Sequence, residues 1–550
     1  MATWALFKRL FGGGFLKRVL LAVFVIVLLL GGVELRHWTW DKTRHVRYQH
    51  DIVNGLYWGS ETLKEARNLS PADRSADSWS AFFRGYLSLY DRVKDEAYEG
   101  DYGLDYPPLR LLVMSIWAKQ VRSDFPAVDD GHPSHVKPLL NINFFCELLS
   151  AVGIFFLVNL CVKRASTLEW RGLLGHIPTE HRGWICSLAA ASFAWFEPST
   201  ILDAHGWPQW DVWIVPFYLF AVLAALKNRW FLCGCLLAVG AMLKGQLLFV
   251  APFLVFWPLW QKDWNGTARL LAGFAATSAL VVSPWLLRNP QAWILVALAG
   301  FASFGILAWR KARYLGAWVA GIVAIAALLA GVFVGGSFAW LQIGFLYGSE
   351  HYPYLFVSSC YNLPSLLDSL GWSLKESLWS YEFGSRYIAV TPQWTLRLLY
   401  FGSLALCGLG AARHTHTRDP RLLIAVATPW LLMFALLGQM HERYLIWGAI
   451  ISAVTLGVSV RLSALHFIIS IVSSAMIVHV MLIDKKLDST SSLIDLLNDL
   501  RPYASILLLV CVGVYLWDVL SNPVPVFQPH GRHASTKPAA LSLGPKLEEA

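Results

Sequence analysis

The sequence predicts an all-α polytopic membrane protein with about fourteen transmembrane helices and a long first outer loop containing interfacial helices. Three observations predict it. Charged residues make up 15% of the 550-residue chain and hydrophobic ones 56%, with a mean hydropathy of +0.49; soluble proteins carry roughly 25% charged residues. Apolar runs long enough to cross ~30 Å of hydrocarbon recur along nearly the whole chain. Lysine and arginine gather at alternate junctions between those runs, as the positive-inside rule expects.

The first span is Val19–Val33, preceded by Lys8, Arg9, Lys17 and Arg18. Glu34, Arg36 and His37 follow it where a signal peptide would show small residues. Residues 1–18 therefore read as a cytoplasmic N-terminus ahead of an uncleaved span. Further spans are expected at 140–162, 184–202, 209–226, 230–243, 246–261, 269–287, 291–309, 315–335, 396–412, 421–439, 444–460, 463–483 and 502–520. Junctions on the N-terminal side carry Lys163, Arg164, Arg171 and Arg182, then Lys227 and Arg229, Lys262 and Arg269, Arg310 to Arg313, Arg413 to Arg421, and Arg461. The short opposite junctions are sparse, with none between 203 and 209 and then Lys244, Arg288 and Arg443 singly, while the longer outer loops hold more. The parity is self-consistent.

The membrane domain thus runs over 19–520, with long outer segments at 34–139 and 336–395. The first has too few apolar residues for a large independent core, and its amphipathic stretch Leu109–Lys119 is expected in the interface. The second contains aromatics and turn residues such as Tyr352–Pro353–Tyr354. Residues 521–550, rich in Pro, Ser and Ala, read as a disordered cytoplasmic tail. The net charge of +9 is spread over the junctions rather than set in one patch, which argues against nucleic acid. Seven of eight cysteines lie in apolar segments and only Cys360 in an outer loop, so no disulfide framework is implied.

Three segments on the outer side carry more chemistry than a turn requires. In Gly103–Leu104–Asp105–Tyr106–Pro107–Pro108–Leu109, the prolines force an extended backbone and then start a helix, holding the Asp105 carboxylate at a helix N-terminus. A plain N-cap explains the bare pattern equally well. Asp203–Ala204–His205–Gly206–Trp207–Pro208–Gln209–Trp210–Asp211 sets two carboxylates, an imidazole and an amide between tryptophans at a membrane edge. Met440–His441–Glu442–Arg443–Tyr444 offers an arginine, whose planar donor fork suits phosphate. Lys244 is similar, although snorkelling explains it too. Parity brings Asp41, Asp105 and Asp211 together with Lys244, His441 and Arg443 on one outer face, at the ends of spans where a lipid headgroup would sit.

These segments resemble motifs of GT-C-type glycosyltransferases, the polytopic class that uses polyprenyl-phosphate sugars. In motif the chain is most similar to the dolichyl-phosphate-glucose-dependent glucosyltransferases of N-glycan precursor assembly, and it resembles related bacterial membrane glycosyltransferases. The GLDYPPL stretch at 103–109 matches theirs. The segment from His205 to Asp211 resembles their HGxxQYN turn, with Trp210 for Tyr and Asp211 for Asn. Met440 to Leu445 resembles their VHEKAIL segment, with Arg443 for Lys. Ser359–Cys360–Tyr361–Asn362–Leu363–Pro364 is similar to an Asn-containing outer loop of the wider superfamily.

The resemblance implies transfer of a hexose, glucose or mannose, to an acceptor hydroxyl on the periplasmic or lumenal face, with inversion. Both a bacterial inner membrane and an endoplasmic reticulum present that topology. It implies a catalytic Asp shortly after the first span, by a D-x-x-R-[YH] pattern: Asp41 in Asp41–Lys42–Thr43–Arg44–His45, with Asp51 and Asp105 in reserve. Arg443, His441 and Lys244 would bind the donor phosphate. Tyr106, His205, Gln209, Asp211, Asn362 and Glu442 would line the substrate. The acceptor would be a glycan, lipid or protein. No cofactor is required, although Asp105 and Asp211 are able to share a divalent cation. The competing reading is a transporter or flippase for lipid-linked sugars or another solute; a third is a non-catalytic membrane scaffold.

Overall fold

The computed structural model describes residues 13–43, 50–69, 78–124, 132–165, 179–348, 360–383, 386–485 and 491–521. Lys8, Arg9, Arg44, His45, Tyr352–Pro353–Tyr354, Ser359 and the tail from 522 lie outside the described residues. The protein is helical almost throughout, and all fourteen expected stretches are helical over most of their length. Among the described residues, nine helices are long and apolar enough to cross a membrane. Asp211–Leu226, Trp230–Leu243, Leu247–Trp260 and Leu422–Leu436 are apolar but shorter.

The first helix, α1 (Gly13–Thr43), continues ten residues past the apolar run that predicted it. It does so because Arg36, which looks like the end of a span, is buried against a carboxylate partner: its Nε donates to Glu147 Oε2 at 2.5 Å. A charge paired in this way can stay inside a bundle. Asp41 accordingly rides on the last turn of a helix, exposed, rather than in a loop.

The first outer segment folds into α2 (His50–Asn68), α3 (Trp79–Glu96) and α4 (Pro108–Asp124). A Cβ at Gly59 would strike the Met114 carbonyl, and one at Gly85 the backbone of Thr62 and Ala66, so α2 meets both neighbours nearly backbone to backbone. Leu56, Tyr90, Leu111 and Met114 are fully buried there, in one apolar cluster with Trp285 and Ile343 from later in the chain. The segment is thus no independent core. The stretch read as interfacial, Leu109–Lys119, lies within α4 and packs its apolar side on protein.

The bundle follows as α5 (Pro133–Arg164), α6 (Thr179–Trp195), α7 (Pro198–Ile201), α8 (Val215–Leu226) and α9 (Trp230–Leu243). Next come α10 (Leu247–Val250), α11 (Pro252–Trp260), α12 (Trp264–Leu286), α13 (Pro290–Trp309), α14 (Leu315–Phe333) and α15 (Ala339–Leu341). The second outer segment holds α16 (Leu363–Ser369) and an antiparallel hairpin, β1 (Trp379–Phe383) with β2 (Arg386–Val390), in register Trp379↔Val390. That hairpin was not expected from the sequence. The chain closes with α17 (Pro392–Thr417), α18 (Leu422–Leu436), α19 (Leu445–Ser452), α20 (Val460–Lys485) and α21 (Ser491–Leu520). The centre is the α8, α18 and α19 group, where every residue of α19 and almost every residue of α18 is buried. Tyr218 pins α8 to α18 through its hydroxyl to the Val426 carbonyl at 2.7 Å.

Candidate functional site

The site begins at a break in a helix. α6 stops at Trp195, Pro198 starts α7, and α7 widens into a turn over Leu202–Gly206 before the chain reverses. Asn143 of α5 fixes that reversal. Its Nδ2 donates to the carbonyls of Ala204 (2.9 Å) and Gln209 (2.7 Å), and its Oδ1 accepts from Trp213 Nε1 (2.7 Å). Both ends of the amide are used on backbone and ring groups that water cannot reach. His205 is held in turn by Glu147, Nε2 to Oε1 at 2.8 Å, on the carboxylate that also takes Arg36. Arg36 lies 3.8 Å over the Trp195 ring and donates to the carbonyls of Gly32 and Trp195. So an Arg–Glu–His triad ties α1 and α5 to the turn. Thr39, half a turn before Asp41, sits against Gly206, where a Cβ would stand 3.3 Å from its methyl.

Asp211 stands at the exit of this turn and is fully buried. One carboxylate oxygen pairs with Lys244 Nζ, and the other lies 3.0 Å from Arg443 Nε. Its carbonyl accepts from Trp447 Nε1 at 2.7 Å. Lys244 comes from the extended residue that ends α9, with its ammonium 4.7 Å from the Tyr444 ring and 5.3 Å from Trp447. Arg443 comes from the short turn Glu442–Tyr444 between α18 and α19, 5.3 Å from the Trp207 ring. Its Nη1 reaches Asp51 Oδ2 of α2 at 3.1 Å. The result is a line of alternating charge, Lys244–Asp211–Arg443–Asp51, two cations and two carboxylates from four separated segments. At the buried end the energetics are severe. Breaking a buried ion pair costs on the order of 3–5 kcal/mol, so Asp211→Asn is expected to lower the melting temperature of the detergent-purified protein by several degrees. An unchanged melting temperature would show that the two cations do not depend on Asp211.

Beside this line, Arg110 stacks 3.8 Å over Tyr106 and 4.4 Å over Trp210, joining the proline motif to the turn. Tyr90 and Tyr86 donate their hydroxyls to the carbonyls of Tyr106 (2.5 Å) and Pro108 (2.9 Å), which fixes the extended stretch. Asp105 is partly exposed at the edge, within electrostatic reach of Tyr444. Glu442 is buried, 3.9 Å from His441. Asn362 spends its amide structurally: Oδ1 accepts from Ser365 N at 3.0 Å to cap α16, and Nδ2 donates to the Phe434 carbonyl. Its loop still abuts the site, since Cys360 Sγ lies 3.0 Å from the Met440 carbonyl.

The structure therefore brings Arg443, Lys244 and Asp211 into one cluster, with His205 and Gln209 on the same turn and Tyr106 at its flank. Asp41 stands apart from the cluster at the end of α1. Asp51, the sequence's reserve carboxylate, makes the contact to Arg443. Burial pushes the Asp51 carboxyl up, but Arg443, with His441, Arg110 and Lys244 behind it, outweighs burial and holds it below its ordinary 3.8. For His441, burial and then the Arg443 charge hold the imidazole below its ordinary range against the pull of Asp51. A depressed carboxyl contributes stability that is complete above its unfolded value and disappears as pH falls through the folded one. The melting difference between wild type and Asp51→Asn should hence stay constant from pH 8 to about 5 and shrink only below about 4; a difference that shrank between pH 7 and 5 would contradict the pairing.

Asn143, Glu147 and Arg110 were not singled out from the sequence. Glu147 had a signal, a lone carboxylate inside the apolar run 140–162. Arg110 and Asn143 had none, because each acts on segments brought to it only by folding. No metal-binding cluster of three or more His, Cys, Asp or Glu occurs among the described residues.

Residues 105–302, from Asp105 into α13, match the family model of glycosyltransferase family 87. No curated protein matches the chain. The matched family is a GT-C-like membrane glycosyltransferase family, and the match supports a glycosyltransferase in an integral membrane frame.

Proposed function

We propose that this membrane glycosyltransferase takes a hexose from a polyprenyl-phosphate carrier and moves it, with inversion, to an acceptor hydroxyl on the outer face. The observation that carries the reading is the Lys244–Asp211–Arg443–Asp51 line, two buried cations at helix ends with a carboxylate fixed between them. A phosphate diester needs charge-assisted donors where water is excluded. Arg443 offers them, with its guanidinium beside Asp211 and a terminal nitrogen engaged, among the described residues, by Asp51. The donor phosphate takes the place of the Asp51 carboxylate on that nitrogen, with Lys244 adding charge alongside.

The acceptor oxygen attacks the anomeric carbon as the bond from that carbon to the phosphate oxygen breaks. The electron pair leaves on the polyprenyl phosphate, where Arg443 and Lys244 stabilise the growing charge. The acceptor proton passes to a carboxylate and then to water. Asp51 is a poor acceptor for it, being engaged with Arg443 and depressed in pKa. We assign that role to Asp41, exposed on the last turn of α1 two residues past the Thr39 that touches Gly206, with Asp105 as the reserve. One base suffices for an inverting displacement. Gln209, His205 and Tyr106 shape the sugar side of the cleft. This scheme needs no metal.

The test uses the full-length protein in sealed proteoliposomes with radiolabelled polyprenyl-phosphate glucose or mannose and a membrane extract as acceptor source. Label in a new glycoside together with free polyprenyl phosphate is the expected result. Label that crosses the membrane with no new glycosidic bond would make the protein a transporter instead.

A further inference from the structure

A cavity lies at the opposite end of the same helices that frame the charge line. The short turn Asp211–Ile214 leads into α8, which ends at Leu226, and α18 runs from Leu422 toward Arg443. Leu226 and Leu422, at the far ends, line a cavity of about 420 Å³ together with the last turns of α5 and α17. This is the side on which the sequence places its cytoplasmic lysines and arginines. Leu160 and Cys161 complete the apolar wall, and Arg164 and Arg418 flank it.

The charges in this cavity do not cancel. Asp419 also lines it, but Arg421 saturates that carboxylate: Nη2 donates at 2.7 Å, Nε at 3.1 Å, and the Arg421 backbone N–H at 2.9 Å. Arg164 and Arg418 are then left as a net charge of two. The remaining polar wall is Thr415, whose hydroxyl donates to the Ala411 carbonyl at 2.7 Å, and His414, fully buried, whose Nε2 donates to the Val519 carbonyl at 2.8 Å. That bond fixes the tautomer, so Nδ1 carries a lone pair; it has no hydrogen-bond partner among the described residues, the Asp419 carboxylate held by Arg421 lying 3.9 Å away. Cations at the C-terminal ends of α5 and α17 also complement those helix dipoles. The dipoles account for the arginines, but neither for the apolar hollow between them nor for a buried acceptor with no donor.

From this combination we infer that the cavity binds the headgroup of an anionic glycerophospholipid that bears a free hydroxyl. The phosphate diester lies between Arg164 and Arg418, the headgroup hydroxyl donates to His414 Nδ1, and the glycerol lies on the leucine wall. Basic pockets between helices at the cytoplasmic boundary suit this chemistry. The volume holds a headgroup and not its acyl chains, which remain in the bilayer. The site is independent of the sugar-donor reading.

The experiment exchanges the full-length protein into nanodiscs of phosphatidylcholine containing a minor fraction of phosphatidylglycerol or phosphatidylmethanol, and counts retained lipid by native mass spectrometry. Wild type should retain phosphatidylglycerol over phosphatidylcholine by about tenfold or more, and over phosphatidylmethanol, which has the charge without the hydroxyl, by several-fold. Arg164→Gln combined with Arg418→Gln should lose the first preference while melting in pure phosphatidylcholine as wild type does. Equal retention of all three lipids by wild type, or an undiminished preference in the double variant, overturns the site. Glycerol phosphate binding as tightly as the lipid would overturn the lipid assignment in favour of a soluble phosphate ester. His414→Phe is the second variant: it should remove the preference over phosphatidylmethanol and leave the preference for anionic lipid in place.

Discussion

Asp41→Asn is expected to lower sugar transfer about 100- to 10,000-fold, the range over which a positioned general base acts, while donor binding and melting temperature stay at wild-type values. The substitution keeps the shape of the side chain and removes only its capacity to take a proton. Asp41 lies on an exposed helix end, outside the buried charge line, where a surface contact is worth about 1 kcal/mol or less. Asp51→Asn should behave differently. It frees a nitrogen of Arg443, so it should alter donor affinity more than the chemical step. Measuring kcat and KM for the donor in both variants separates the roles. Full transfer by Asp41→Asn would move the base to Asp105, which Asp105→Asn then tests in the same assay.

The second large effect is at Arg443. Arg443→Gln should cut transfer about 100- to 1,000-fold, the usual cost of deleting one group that stabilises leaving charge. Bare polyprenyl phosphate should bind more weakly as well, which distinguishes this variant from Asp41→Asn. Arg443→Lys should rescue little. A lysine offers one charged point, whereas the guanidinium addresses Asp211 through Nε and Asp51 through Nη1 at once. Retained binding of the bare lipid phosphate in Arg443→Gln would remove the phosphate from this cluster.

Much of the architecture was legible because lipid as solvent makes hydropathy nearly sufficient. Each apolar run became a helix, and the turn at 203–211 and the segment at 440–444 were found where intramembrane polarity stood out. Three kinds of feature were missed. The extension of α1 to Thr43 depends on Arg36 meeting Glu147, residues 111 positions apart. The close approach of α2 to α4 and to α3 depends on Gly59 and Gly85, which no periodicity reveals. The hairpin Trp379–Val390 had a signal that went unused, since Trp379, Tyr381 and Phe383 alternate with Ser380 and Glu382 ahead of a Gly-Ser pair. The site divided along the same line. Lys244, Asp211 and Arg443 were visible as charges out of place, whereas Asp51 looked like one of many loop carboxylates until α2 carried it to Arg443.

The shortness of α18 has a consequence for the depth of the site. Fifteen residues of helix extend only about 22 Å, against ~30 Å of hydrocarbon. Almost every residue of this helix is buried, so the shortfall is filled by protein and not by lipid. With its lower end among the arginines at 413–421, the Arg443 end stops short of the opposite surface and is walled by neighbouring helices. Charges held there are screened little by the ions of the aqueous phase. Donor affinity should therefore change little with ionic strength, where a phosphate held at the surface would be lost steeply.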